Sequence, residues 1–201
     1  MRTIELEVFK FDELSDKAKE KARDWYRQGD CAGLEYVVDD FLGVAKILGL
    51  EVRTRPTSLM SGKIVLSPEV SYSVGFCQSD FAGFDGTWGY EKGCVKAIKA
   101  YAPQDTGLHA LAEQWQELQK ANFYQLKVAA SCHHYYGQRV TDVYRRDDKA
   151  LSEGTFEGAE EAVRDLAHWL YTQLRDEAGY QTSDDTVDEN MVCNSYEFYA
   201  D

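Results

Sequence analysis

Residues 70–90 read VSYSVGFCQSDFAGFDGTWGY, the densest cluster of aromatic residues and glycines in the chain. Val70, Tyr72, Val74 and Phe76 alternate with Ser71, Ser73, Gly75 and Cys77, the period of two expected of a strand with unlike faces. Gln78, Ser79 and Asp80 supply turn chemistry. Phe81, Phe84, Trp88 and Tyr90 then resume an aromatic run spaced by Gly83, Gly86 and Gly89. The stretch predicts a β-hairpin at the centre of a sheet. Glycines at every third residue match neither a dinucleotide fingerprint nor a phosphate loop, so they read as backbone relief in a twisted strand.

Working outward, residues 123–136 predict a long strand, and Gly137–Gln138 a tight turn into a second hairpin strand over 140–144. Upstream, residues 3–11 alternate Ile4, Leu6 and Val8 with Glu5 and Glu7. Residues 50–55 read as a strand ended by Pro56, and residues 63–66 as a short strand broken by Pro68. Helices are expected between these segments. One is capped by Ser15 and stops near Gly29; a second covers 36–48 and ends at Gly49. A third covers 91–101, and a fourth is capped by Asp105 or Thr106 and closed by Asn122. The longest, over 156–178, ends at Gly179, and a last short helix is capped by Thr182 or Ser183. Residues 196–199 finish as a strand or packed tail. The two hairpins exclude a doubly wound parallel sheet. The expectation is α+β, an antiparallel sheet of about four to six strands covered by helices.

The length of 201 residues suits one domain spanning 1–201, with an acidic helical region at about 176–201. No apolar run approaches the ~20 residues of a membrane span. Charges interrupt the apolar N-terminal run MRTIELEVFKF, unlike a secretory signal. The expected location is cytoplasmic. Five dispersed cysteines without a CxxC pair fit free thiols in a reducing compartment and exclude a clustered zinc site.

Thirty-five acids against 22 bases give a net charge of −13. Such a surface disfavours direct binding to nucleic-acid phosphates and suits a basic partner. After Arg175 there is no lysine or arginine. Asp176, Glu177, Asp184, Asp185, Asp188 and Glu189 stand there, interleaved with Tyr180, Tyr196 and Tyr199. Acids beside aromatics are candidate interface anchors. The turn Gln78, Ser79 and Asp80 is a second candidate contact point. Asp80 and Asp85 read as turn carboxylates that bond their own backbone.

Chemistry is thinner. Cys132 and His134 lie two apart on an expected strand and share a face, as do Ser131 and His133. A cysteine–histidine pair is the beginning of a nucleophile and base, with Cys77 as an alternative nucleophile, but no third group is fixed by sequence. The expectation is no enzyme, no cofactor and no metal.

Several segments carry a resemblance: FDELSDKAKEKARDWYR (11–27), SYSVGFCQSDFAGFDG (71–86), KAIKAYAPQD (96–105), HALAEQWQELQKANFYQLKV (109–128) and LAHWLYTQLRDEAGYQTSDDTVDENM (166–191). Together they resemble a family of bacteriophage and prophage proteins, some labelled antitoxins of toxin–antitoxin stability systems. The resemblance carries over no catalytic residue. It implies an acidic, phage-encoded binding protein in the bacterial host cytoplasm. By protein–protein contact it would inhibit a host defence or nucleic-acid-handling complex, of the anti-CRISPR or anti-defence type. The alternatives are an antitoxin neutralising a cognate toxin and a small enzyme using the Cys/His pair.

Overall fold

The structure, a computed structural model, describes residues 7–29, 33–75, 78–133 and 137–199. In chain order the elements are β1 (Val8–Lys10), a 3-10 turn (Phe11–Glu13), α1 (Asp16–Arg27), α2 (Glu35–Leu48), β2 (Leu50–Val52), β3 (Thr54–Ser58), β4 (Ile64–Pro68) and β5 (Val70–Ser73). They continue with β6 (Phe81–Phe84), β7 (Gly86–Gly89), α3 (Cys94–Tyr101), α4 (Thr106–Ala121), β8 (Leu126–His133), β9 (Gly137–Arg145), α5 (Thr155–Gln181), α6 (Asp184–Cys193) and β10 (Glu197–Tyr199). Two compact units divide the chain: Glu35–Leu174, and Met1–Leu34 with Arg175–Asp201.

The unit Glu35–Leu174 is built on an antiparallel sheet in the order β2-β7-β8-β9. Along β8, Leu126, Val128 and Ala130 are buried while Lys127, Ala129 and Ser131 are half-buried. That alternation is the pattern of a strand with one face on a core. Trp88 of β7 and Trp115 of α4 form the centre, their rings 4.2 Å apart and edge-on. Burying an indole is favourable only if its N–H finds a partner. Here Trp88 Nε1 donates to Leu48 O at 3.0 Å and Trp115 Nε1 to Ala162 O at 3.2 Å. Buried amides extend the pairing. Gln138 of β9 bonds both the N–H and the C=O of Phe84 in β6, and Gln119 of α4 does the same at Leu126, at the start of β8.

The α+β class and the antiparallel sheet are as expected, but the central hairpin is organised differently. β5 and β6 pair in a two-stranded ladder of their own, and only β7 enters the four-stranded sheet, between β2 and β8. The switch occurs at Asp85, where three strands meet. Arg53 N donates to Asp85 O at 2.7 Å, Glu69 N to Arg53 O at 2.7 Å, and Asp85 N to Glu69 O at 2.9 Å. Crowding explains the glycines: a Cβ on Gly86 would lie 2.6 Å from Glu51 O.

Other boundaries move for identifiable reasons. Pro56 lies inside β3 rather than ending a strand, opposite Leu66 of β4. Gly93, at φ +82°, delays α3 to Cys94, and left-handed Phe123 and Tyr124 delay β8 to Leu126. Gly137 and Gln138 belong to β9 rather than to a turn. α5 runs through Gly179 to Gln181, its last turn closed by the Thr182 N–H and hydroxyl donating to Ala178 O.

The second unit carries its own small core of Phe11, Ala22, Val187 and Met191, with Tyr196 and Phe198 packed against it. β1 and β10 pair antiparallel, Phe9 opposite Phe198. Ser15 and Ser183 cap α1 and α6 as expected, accepting from Ala18 N and Thr186 N. Residues 3–6 of the expected first strand lie outside the described residues.

Candidate functional site

The sequence-predicted acids of the C-terminal region meet different fates. Arg23 of α1 holds Asp188 in a two-pronged pair, Nε to Oδ1 and Nη2 to Oδ2, both 2.7 Å. Arg27 bonds Asp184 and donates from Nε to Thr182 O at 3.0 Å. The hydrogen bond from Arg23 holds the Asp188 carboxyl below its usual range, and the same bond raises the guanidinium. Asp184 and Asp188 are therefore structural partners of α1. Asp176 pairs with its neighbour Arg175 at 2.9 Å, and Glu177 accepts from Gln181 Nε2 at 3.0 Å. Tyr196 is packed edge-on against Trp25 and Tyr26, as a core residue would be. Asp185, Glu189, Tyr180 and Tyr199 remain exposed.

In the turn candidate, Gln78 and Ser79 are exposed and Asp80 Oδ1 accepts from Gly75 N at 2.9 Å, the backbone role expected of a turn aspartate. Asp85 does something else. It accepts from Ser131 Oγ at 2.6 Å and from Cys132 N at 3.4 Å, tying β8 to the strand corner. Burial first, and the Asp85 charge second, push the Cys132 thiol up. A protonated thiol is the opposite of what a nucleophile needs. His133 is exposed at the end of β8, while His134 and Cys77 lie outside the described residues. Among the described residues no group of three histidines, cysteines or acids is arranged to hold a metal ion. No helix among them is long and apolar enough to cross a membrane.

A site that the sequence reading did not single out lies between α4 and α5. The two helices run antiparallel. At one end Trp169 Nε1 donates to Asp105 Oδ2 at 2.8 Å; at the other Asn122 Nδ2 reaches Thr155 Oγ1 at 3.0 Å. Two depressions of about 630 and 430 Å³ follow this seam and share Gln114. Their existence follows from residue size. Gly107, Ala110 and Ala121 on α4 and Gly158 on α5 are too small to fill the seam. Gly158 also lets α5 approach closely, since a Cβ there would lie 2.7 Å from Leu118 Cδ2. Leu111 and Leu118 complete an apolar floor.

The charged lining residues are all acidic: Asp105, Asp165, Glu117 and Glu161. Both oxygens of Asp105 are engaged, by Trp169 and by Leu108 N. Glu117 stands 3.5 Å from Lys120. Glu161 and Asp165, one helical turn apart on α5, are exposed and make no ion pair among the described residues. His168 adds a titratable ring further along the same rim. The seam thus combines an apolar floor between small residues with carboxylates on its rim that make no ion pair among the described residues.

Fold and site together define an α+β protein with an acid-rimmed groove on an antiparallel helix pair. Residues 34–184 match the model of a domain of unknown function, DUF8835, and the chain belongs to that family. The matched span contains the whole unit Glu35–Leu174, groove included; Asp185, Asp188, Glu189, Tyr196 and Tyr199 fall beyond it. Neither a curated protein nor a solved structure matches the chain.

Proposed function

We propose that the protein works by protein–protein contact, with the α4–α5 groove taking a basic, amphipathic helix of its partner. The observation that carries this reading is the apolar seam rimmed by the unpaired Glu161 and Asp165. A desolvated groove floor supplies affinity, while the rim charges select for lysine and arginine and speed encounter. The net charge of −13 acts in the same direction over a longer range. The resemblance to phage and prophage proteins extends the proposal. The partner is then a host defence or nucleic-acid-handling protein in the bacterial cytoplasm, and the acidic protein occupies a basic surface that otherwise holds nucleic acid.

The test is capture from host lysate on the immobilised full-length protein. The expected result is a nucleic-acid-binding protein retained at low salt and released as salt rises, since screening weakens such contacts. A bait carrying Glu161→Lys with Asp165→Lys should lose it. Capture that survives the double substitution defeats the groove as the site. Capture of no nucleic-acid-binding protein defeats the choice of target.

A further inference from the structure

The β3–β4 hairpin has the opposite character to the groove. Residues 53–69 carry Arg53, Arg55 and Lys63 against one acid, Glu69, in a chain where acids outnumber bases 35 to 22. Its two strands form a separate two-stranded sheet, so each has an outer edge without a strand neighbour among the described residues. The phase of the ladder says what each edge offers. Leu59 N donates to Lys63 O and Glu69 N to Arg53 O, so odd-numbered residues bond across the hairpin. The even-numbered backbone groups, at Ile64, Leu66 and Pro68 of β4 and at Thr54, Pro56 and Ser58 of β3, point outward, and Pro68, which has no N–H, ends the β4 edge after Leu66. On β3 the outward position at the centre is Pro56, which has no N–H and blocks pairing. On β4 the N–H and C=O of Ile64 and Leu66 are both available for pairing.

The side chains along that edge are also sorted. Ile64 and Leu66 share one face and are 68% and 69% exposed, an unusual solvation for neighbouring aliphatic residues on so small a sheet. Arg55 and Lys63 lie on the other face, exposed and without an ion pair among the described residues; Arg53 already faces Glu69 and Asp85.

We propose that the outer edge of β4 is a docking site for an extended segment of another protein that alternates apolar and acidic residues. The segment adds as a third strand. Its backbone pairs with Ile64 and Leu66, its apolar side chains cover those two residues, and its carboxylates meet Lys63 and, across Ser67, Arg55. Period-two alternation in the partner follows from the pleat, because successive residues of an added strand face opposite sides. Charge complementarity selects this occupant: an acidic strand answers the unpaired cations, whereas a second copy of β4 would bring further cations to the same edge.

The probe is a fluorescein-labelled heptapeptide alternating valine and glutamate, with a scrambled peptide of the same composition as control, read by fluorescence polarisation against the full-length chain. Saturable binding of the alternating peptide is expected, at least tenfold tighter than the scrambled one. Leu66→Pro removes an outward N–H and should lose the binding; Lys63→Glu should weaken it several-fold. Circular dichroism melts of both variants verify that they fold. No saturable binding, equal binding of the scrambled peptide, or binding unaffected by Leu66→Pro each overturn the proposal. So does a dimer in sedimentation that Leu66→Pro dissolves, since the edge would then belong to a second copy.

Discussion

Carboxylates four residues apart on a helix occur at Asp184 and Asp188 of α6 and at Glu161 and Asp165 of α5, and their settings differ completely. The α6 pair faces Arg23 and Arg27, themselves four apart on α1, so the two helices zip together by matched spacing. The α5 pair lines a seam of small apolar residues and makes no ion pair among the described residues. A carboxylate bonded two-pronged to an internal guanidinium has little left to offer a partner. One that stands unpaired beside an apolar groove retains its full field. The acid-rich region identified by composition is thus partly consumed in holding its own unit together, while a less conspicuous set of acids stays available.

The largest effect should come from removing what makes the groove at all. Trp115 is buried, packs on Trp88 and donates to Ala162 O on α5. Trp115→Ala should cost about 3–5 kcal/mol in denaturant unfolding and abolish partner capture with it. Loss of capture at unchanged stability would mean that Trp115 acts at a surface and not through packing. Next comes the charge reversal Glu161→Lys with Asp165→Lys. It should weaken capture about tenfold or more while moving stability by no more than about 0.5 kcal/mol. The corresponding change on α6, Asp188→Ala, should do the reverse, lowering the melting temperature and leaving capture intact. If Asp188→Ala alone abolished capture, the two sets of acids would have to exchange roles.

Which of these acids is held in an internal ion pair does not follow from spacing alone. Helix caps were legible because they are local: Ser15, Asp105 and Ser183 each bond an N–H three residues on. The alternation of β8 was legible for the same reason. Pairing of β7 with β2 and β8 was not, because it depends on strands some 35 and 40 residues away in sequence meeting at the Asp85 corner. Pro56 does not end its strand as expected, because its missing N–H points away from β4, where nothing is lost. Gly179 as the end of the longest helix misses by two residues: it lies in the last turn of α5, which closes at Gln181 because the Thr182 N–H and hydroxyl donate to Ala178 O. The groove is not legible in the sequence because Gly107, Ala110 and Ala121 have the spacing of an ordinary solvent face until α5 lies beside them.

A third acid sharpens the comparison by a smaller amount. Asp85 is internal like Asp188, but its bonds are to Ser131 Oγ and the Cys132 N–H rather than to a close guanidinium; Arg53 stands 3.8 Å away. Its charge adds to burial in raising the Cys132 thiol. Asp85→Asn should lower that thiol and increase its maleimide reactivity a few-fold at constant pH, followed by mass mapping of the Cys132 peptide. Exposed Cys193 provides the internal control. An unchanged Cys132 rate would assign its inertness to burial alone.

The smallest expected effect concerns pH. Asp188 titrates below its ordinary value of 3.8 because Arg23 bonds its ionised form. A carboxyl that is more acidic in the folded chain stabilises the fold fully above its unfolded value. The contribution disappears as pH falls through the folded one, when the proton breaks the pair. The melting temperature of the native protein should therefore exceed that of Asp188→Asn by a few degrees at neutral pH, and the two curves should converge on acidification below 3.8. A gap for Asp188→Asn that persisted into acid would show that the asparagine disturbs packing between α1 and α6, and that the ion pair is not what Asp188 contributes.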